Sequence, residues 1–143
     1  MIEEALLGHD AVAFAGAIGQ PDAHSGELPC VYVELVAGAT VSDEELMEYA
    51  INNIGEPGAK PKHLEILKEL PKTAVGKVFK PDLRKMAITR IFDQALSEKN
   101  AKARVSGVKD DKKLGLVAQI KGEASDALIK EVLQDYTIPW ERS

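Results

Sequence analysis

Pro71-Lys72-Thr73-Ala74-Val75-Gly76-Lys77-Val78-Phe79-Lys80-Pro81 separates two stretches of different hydrophobic period, and its reading decides the fold. Before it, Leu64, Ile66, Lys68 and Leu70 alternate with Glu65, Leu67 and Glu69, the period-two pattern of a strand that Pro71 ends. After it, Leu83, Ala87, Ile88, Ile91, Phe92 and Ala95 recur at helical spacing, so a helix is expected from Pro81, a favoured first helical residue, to about Leu96. The connection is polar and basic. Gly76 tolerates a left-handed backbone or a close approach, and Lys77 beside it projects a compact ammonium from the tip. Such a point charge could act as an electrophilic clamp on phosphate and carboxylate oxygens. The plain alternative is a solvated Gly-Lys turn.

Working outward, Ser42-Asp43-Glu44-Glu45 has the form of a capping box, followed by Leu46, Met47, Ala50, Ile51 and Ile54 as the buried stripe of a helix that Gly55-Glu56-Pro57-Gly58 stops. Ala11 to Ile18 and Leu28 to Val36 read as an antiparallel strand pair joined by a loop over 19–27, and Ile2 to Gly8 as a short helix. Beyond Ala101 the pattern restarts: Lys102 to Lys109, a charged turn, Leu114 to Lys121, a helix around Ala127 to Leu133, and a short strand over Thr137 to Trp140. The fold class is therefore α+β: a small three-stranded sheet with flanking helices over residues 1–98, and a ββαβ extension over 99–143 that lengthens the sheet, packs as a small layer or makes an oligomer contact.

The 143 residues suit about one domain with one appendage, and 45% hydrophobic with 29% charged residues is an ordinary globular composition. The net charge of -5 is unevenly spread. Residues 1–59 hold eleven acidic and no basic side chains, whereas 60–90 hold nine basic against three acidic. A local basic stretch in an acidic chain points to an anionic ligand held at one place; with only 5% aromatics there is no stacking platform, and no nucleic acid is expected. One cysteine and three scattered histidines give neither a disulfide nor metal-ligand spacing, so a cytoplasmic setting without a bound metal is expected. No apolar run reaches the length of a membrane span. Cys30 reads as a core residue and His24 as a solvated turn residue.

Pro71-Lys72-Thr73-Ala74-Val75-Gly76-Lys77 with Val78, Lys80, Leu83 and Arg84 resembles the C-terminal lysine motif of the adenylate-forming superfamily, which comprises AMP-forming acyl-CoA synthetases, luciferases and peptide-synthetase adenylation domains. Upstream, in the matching order, Ala17-Ile18-Gly19-Gln20-Pro21-Asp22 and Gly26-Glu27-Leu28-Pro29 resemble its Gly-x-Pro-Asp turn and Gly-Glu pair, and Lys60-Pro61-Lys62 resembles the lead into the third strand. The likeness covers about residues 2 to 97. It implies the mobile C-terminal domain of an acyl-CoA synthetase, which activates a carboxylic acid with ATP and Mg2+ to an acyl-adenylate and passes the acyl group to coenzyme A. It implies Lys77 as the catalytic lysine, Gly76, Thr73 and Lys72 as nucleotide-contacting loop residues, and Lys80 and Arg84 as contacts for coenzyme A phosphates. Glu27 is expected to hydrogen-bond backbone. The phosphate-gripping loop, the adenine pocket and the hinge of the family are not in these residues, so the chain resembles a lid whose partner is the N-terminal domain of a longer parent, inactive alone and open to homo-oligomerisation. A peptide-synthetase or luciferase-like branch, or a non-enzymatic anion-binding module, remains open, as does the identity of the acid.

Overall fold

Alternation and helical periodicity resolve into ten main elements in the computed structural model, which describes all 143 residues. These are α1 (Ile2–Leu7), β1 (Val12–Asp22), β2 (Gly26–Leu35), α2 (Asp43–Asn53), β3 (His63–Leu67), α3 (Lys80–Glu98), β4 (Ala103–Asp111), β5 (Gly115–Gly122), α4 (Asp126–Leu133) and β6 (Trp140–Arg142), with a 3-10 turn at Pro57–Ala59. They form two separate three-stranded sheets, ordered β1-β2-β3 and β4-β5-β6. The fold is α+β.

In the first sheet the central strand is covered on both faces, because Cys30, Val31, Tyr32 and Val33 are buried in succession. β3 runs parallel to β2, with Cys30 opposite His63 and Glu34 opposite Leu67. Parallel neighbours need a crossover, and α2 lies in it. Ser42 starts α2 by accepting the Glu45 backbone N–H at 3.1 Å, and Leu46 and Ala50 turn into a core with Leu6, Val12, Ala15, Val31, Val33 and Leu64. The second sheet is mixed, with β4 antiparallel and β6 parallel to β5. Its core joins Ile88, Phe92 and Leu96 of α3 to Val105, Ala118 and Ile120 of the sheet and Ile129 and Leu133 of α4. Two compact units result: Met1–Gly19 with Leu28–Leu83, and Gln20–Glu27 with Arg84–Ser143.

Several local expectations are corrected. The loop expected over 19–27 is mostly strand, since β1 continues to Asp22 and β2 begins at Gly26. A three-residue turn suffices because Asp22 Oδ2 accepts the backbone N–H of His24 (3.2 Å) and Ser25 (2.9 Å) and the Ser25 hydroxyl (2.8 Å), while Gly26 takes φ +86. The Ser25 N–H comes first among the causes that hold the Asp22 carboxyl below its ordinary value. Glu27, expected to make that kind of bond, is exposed, and Asp22 does it instead. β3 stops at Leu67 rather than Leu70, α3 starts one residue before Pro81, and β6 falls at Trp140–Arg142 rather than over 137–140. Ile51 is 39% exposed rather than buried, because the stripe of α2 is as narrow as Leu46 and Ala50.

Phe92 is fully buried and its ring lies 5.1 Å from that of Tyr136. Phe92→Ala is expected to destabilise the chain by about 3–5 kcal/mol, measured by urea denaturation.

Candidate functional site

The Pro71–Pro81 connection is a miniature hairpin. Lys72 and Val78 form an antiparallel bridge, the Thr73 N–H donates to the Lys77 carbonyl at 2.7 Å, and the Phe79 N–H donates to the Pro71 carbonyl at 2.7 Å. The tip closes when the Gly76 N–H donates to the Thr73 carbonyl at 3.0 Å with Gly76 at φ +85, a left-handed position that completes a three-residue hairpin loop. The Thr73 hydroxyl oxygen accepts the Lys77 N–H at 3.3 Å and fixes the lysine's own backbone. Thr73, Gly76 and Lys77 are all exposed, and a Cβ on Gly76 would meet nothing within 4 Å, so the tip is open on that side. No ion pair or hydrogen bond engages the Lys77 ammonium. Val75 beside it is 81% exposed.

Three contacts hold the base of this hairpin. Glu34 at the end of β2 accepts the Leu70 N–H at 2.9 Å and the Lys72 ammonium at 2.6 Å through one oxygen, and the same ammonium sits 4.4 Å from the centroid of the Phe14 ring of β1. Both charged side chains are largely buried, at 17% exposure for Glu34 and 20% for Lys72. Gly16 of β1 is the second mooring, since a Cβ there would lie 2.5 Å from Leu83 Cδ1 and 2.9 Å from Val78 Cγ1. Val78 can pack down only because Gly16 has no side chain. Glu3 of α1 is the third: it accepts the Ala17 N–H at 2.9 Å and pairs with Lys80 at 3.0 Å where the loop enters α3.

The residues singled out in the sequence thus divide. Thr73, Gly76 and Lys77 lie together on the exposed tip. Lys72, expected to meet nucleotide, is engaged by Glu34 and Phe14 at the base, because a lysine beside the strand end lies within reach of a half-buried carboxylate. Lys80 is paired to Glu3, whereas Arg84 is exposed and unpaired. Glu34, Gly16 and Glu3 escape sequence reading: each acts across the sheet, Glu34 on residues 36 and 38 positions away, and no local pattern marks them. His24 is exposed on its turn and Cys30 is buried. No group of three His, Cys, Asp or Glu side chains converges to hold a metal ion.

The Glu34 carboxyl titrates below its ordinary value of 4.5; burial, the largest single influence, pushes it up, and the Lys72 ammonium with the Leu70 N–H outweighs it. Because the folded-state value is the lower one, the pair contributes in full above 4.5 and its contribution disappears as pH falls through the folded value. Glu34→Gln is therefore expected to lower stability at neutral pH and to flatten the stability loss on acidification to about pH 3, read from urea midpoints against pH. Gly16→Val is expected to push Val78 outward and to speed amide exchange at Thr73 and Lys77, read by hydrogen exchange with mass spectrometry.

The profile of the family described as "AMP-binding enzyme C-terminal domain" matches residues 1–77. Marinolic acid--CoA ligase of Pseudoalteromonas sp. (strain SANK 73390) is 44% identical over 96 residues, 67% of this chain and 15% of that protein. Acetyl-coenzyme A synthetase of Pyrobaculum aerophilum is 40% identical over 89 residues, 60% of this chain and 13% of that protein. Among solved structures, an acyl-CoA synthetase of Brucella canis superposes with TM-score 0.52 at 31% identity, covering 69% of this chain and 17% of that one. An amide bond synthetase of Marinactinospora thermotolerans gives TM-score 0.52 at 31% identity over 58% of this chain and 17% of its own. The chain spans about one sixth of the length of these relatives. With more than half of its residues inside the family's profile, which ends at Lys77, it belongs to the C-terminal domain family of AMP-binding, adenylate-forming enzymes.

Proposed function

We propose that this chain is the mobile C-terminal domain of an AMP-forming acyl-CoA synthetase and that Lys77 is its catalytic residue. One observation carries the reading: of the two lysines that bracket the hairpin, Lys72 is held in a largely buried pair while Lys77 is exposed and unpaired on the tip. A cation without an internal partner is available to an external anion. In the first half-reaction the carboxylate of the acid attacks the α-phosphorus of ATP and pyrophosphate leaves. The Lys77 ammonium, brought between the carboxylate and the phosphate, lowers the repulsion of the two anions and stabilises charge that builds on the pentavalent phosphorus. Thr73 and Gly76 set the height and direction of that charge. Lys72 acts one step back as a positioning residue, through the base of the hairpin.

ATP and its Mg2+ are assigned to the N-terminal domain of a longer parent chain, since the residues here supply no metal-ligand group. In the second half-reaction the thiol of coenzyme A displaces AMP after the domain has swung and withdrawn Lys77. Arg84, exposed and unpaired, suits a coenzyme A phosphate, and Lys80 does so only on leaving Glu3. Residues 1–98 form the lid in this reading and 99–143 its appended ββαβ segment. A second reading keeps the adenylation step and changes the acceptor to an amine, favoured by the likeness to the amide bond synthetase.

In the full-length parent, Lys77→Ala is expected to slow adenylate formation, read as pyrophosphate release, about 100- to 1,000-fold while thioester formation from preformed adenylate is retained. Equal slowing of both halves overturns the assignment.

A further inference from the structure

At the open end of the β4–β5 hairpin, Arg104 and Lys121 stand directly opposite each other in the antiparallel ladder. Their neighbours Val105 and Ile120 are buried, so by strand alternation Arg104 and Lys121 share the outward face, and Lys102, exposed in the bend before β4, lines the same hollow. Like charges directly opposite destabilise an antiparallel pair. Neither cation is relieved by an internal partner, although the same unit pairs Lys85 with Asp110 (2.9 Å), Lys109 with Glu141 (3.0 Å) and Arg142 with Asp126 (3.1 Å). The uncompensated charges border a hollow of about 490 Å3 that also takes in Ser97, Ala101 and Glu123, and Glu123 is the single carboxylate among the residues lining it.

The backbone beneath is fixed. The Ala124 N–H donates to the Lys102 carbonyl at 3.0 Å, and Gly122, at φ +141, lies so close that a Cβ would fall 2.4 Å from the Lys102 carbonyl oxygen. The cations are therefore carried on a pinched strand end, with Ala101, Ala103 and Gly122 also in the lining. No aromatic residue lines the hollow to stack on a base, whereas its three long cations can converge on one compact polyanion.

We propose that this hollow binds the phosphate group of a phosphate-bearing ligand, with Lys102, Arg104 and Lys121 as its contacts. Bound phosphate supplies the counter-charge that the Arg104–Lys121 pair lacks, and Glu123 weakens the site by its own charge. The site lies outside the family's profile and does not rest on the role assigned to Lys77.

The test is hydrogen exchange with mass spectrometry on the full-length protein, titrated with inorganic phosphate, with pyrophosphate, and with sodium chloride at matched ionic strength. Saturable protection of the segments 97–104 and 119–124 by a phosphate species, beyond that in chloride, is expected. The apparent Kd should rise about tenfold or more in the Arg104→Gln/Lys121→Gln double variant and fall in Glu123→Gln. Tighter binding of pyrophosphate than of phosphate marks a diphosphate-bearing ligand; the reverse order marks a monophosphate. Both variants change exposed side chains, and an unaltered thermal midpoint in the absence of anion shows that the fold persists. Absence of protection in these segments, equal protection by chloride, or equal affinity in the double variant overturns the proposal.

Discussion

A single carboxylate oxygen, Oε1 of Glu34, is the constraint on which the lysine hairpin depends. It receives the last backbone N–H before the hairpin, that of Leu70, and the first ammonium inside it, that of Lys72. One acceptor thus fixes both where the chain leaves the sheet region and which way the next side chain turns. Hydrogen bonds to a charged group contribute about 1.5–3 kcal/mol each, enough to hold the Pro71–Pro81 connection, which contains only one bridge of its own. The geometry is short-range at the base and free at the tip. Phe14 extends the same logic, since the Lys72 ammonium lies over its ring face, which needs no further polar partner.

The two bracketing lysines show how one residue type acquires opposite roles from its surroundings. Lys72 has its charge matched internally, so it braces the base of the hairpin. Lys77 is four carbons of flexible stem on a rigid platform, set by the Thr73 bonds and by Gly76. A reach of this kind combines a defined origin with an adjustable end, which suits the role proposed for Lys77. Gly16 contributes by absence: with no Cβ, it lets Val78 and Leu83 seat close to β1, so the tip stands on packed side chains rather than on a loose loop.

Local chemistry was legible in the sequence. The capping serine of α2, the helical stripe of α3 and the left-handed glycine at position 76 are each fixed within a few residues, and each forms as read. Strand ends were not. Gly-Pro-Asp-Ser composition over 19–27 reads as loop, yet Asp22 concentrates three bonds on one oxygen and lets the flanking residues stay extended. The braces were also hidden. Glu34 sits amid apolar residues of a strand with no local partner, and only parallel pairing of β2 with β3, which sets Glu34 against Leu67, delivers the chain to it three residues later. The surroundings of Lys72 were hidden for the same reason: its neighbours in sequence form a basic loop, its neighbours in space are Glu34 and Phe14.

Charge segregation along the chain now has a spatial counterpart. The acidic first 59 residues supply Glu3 and Glu34, which neutralise Lys80 and Lys72 from the basic middle stretch and leave the Lys77 and Arg84 side chains without internal counter-charges. Residues 91–143 are balanced in number, nine basic against nine acidic side chains, but not in position. Lys109 and Arg142 find carboxylates and Asp110 pairs with Lys85 of the middle stretch, while Lys102, Arg104 and Lys121 are gathered at one strand end. A balanced composition could have paired them all, because Glu123 already lies among the residues that line the same hollow. Antiparallel register instead sets Arg104 directly against Lys121, and shifting the strand by one residue to relieve that repulsion would carry Val105 and Ile120 out of the core. The hydrophobic register therefore dictates the cationic cluster, and its repulsion persists until an outside anion arrives.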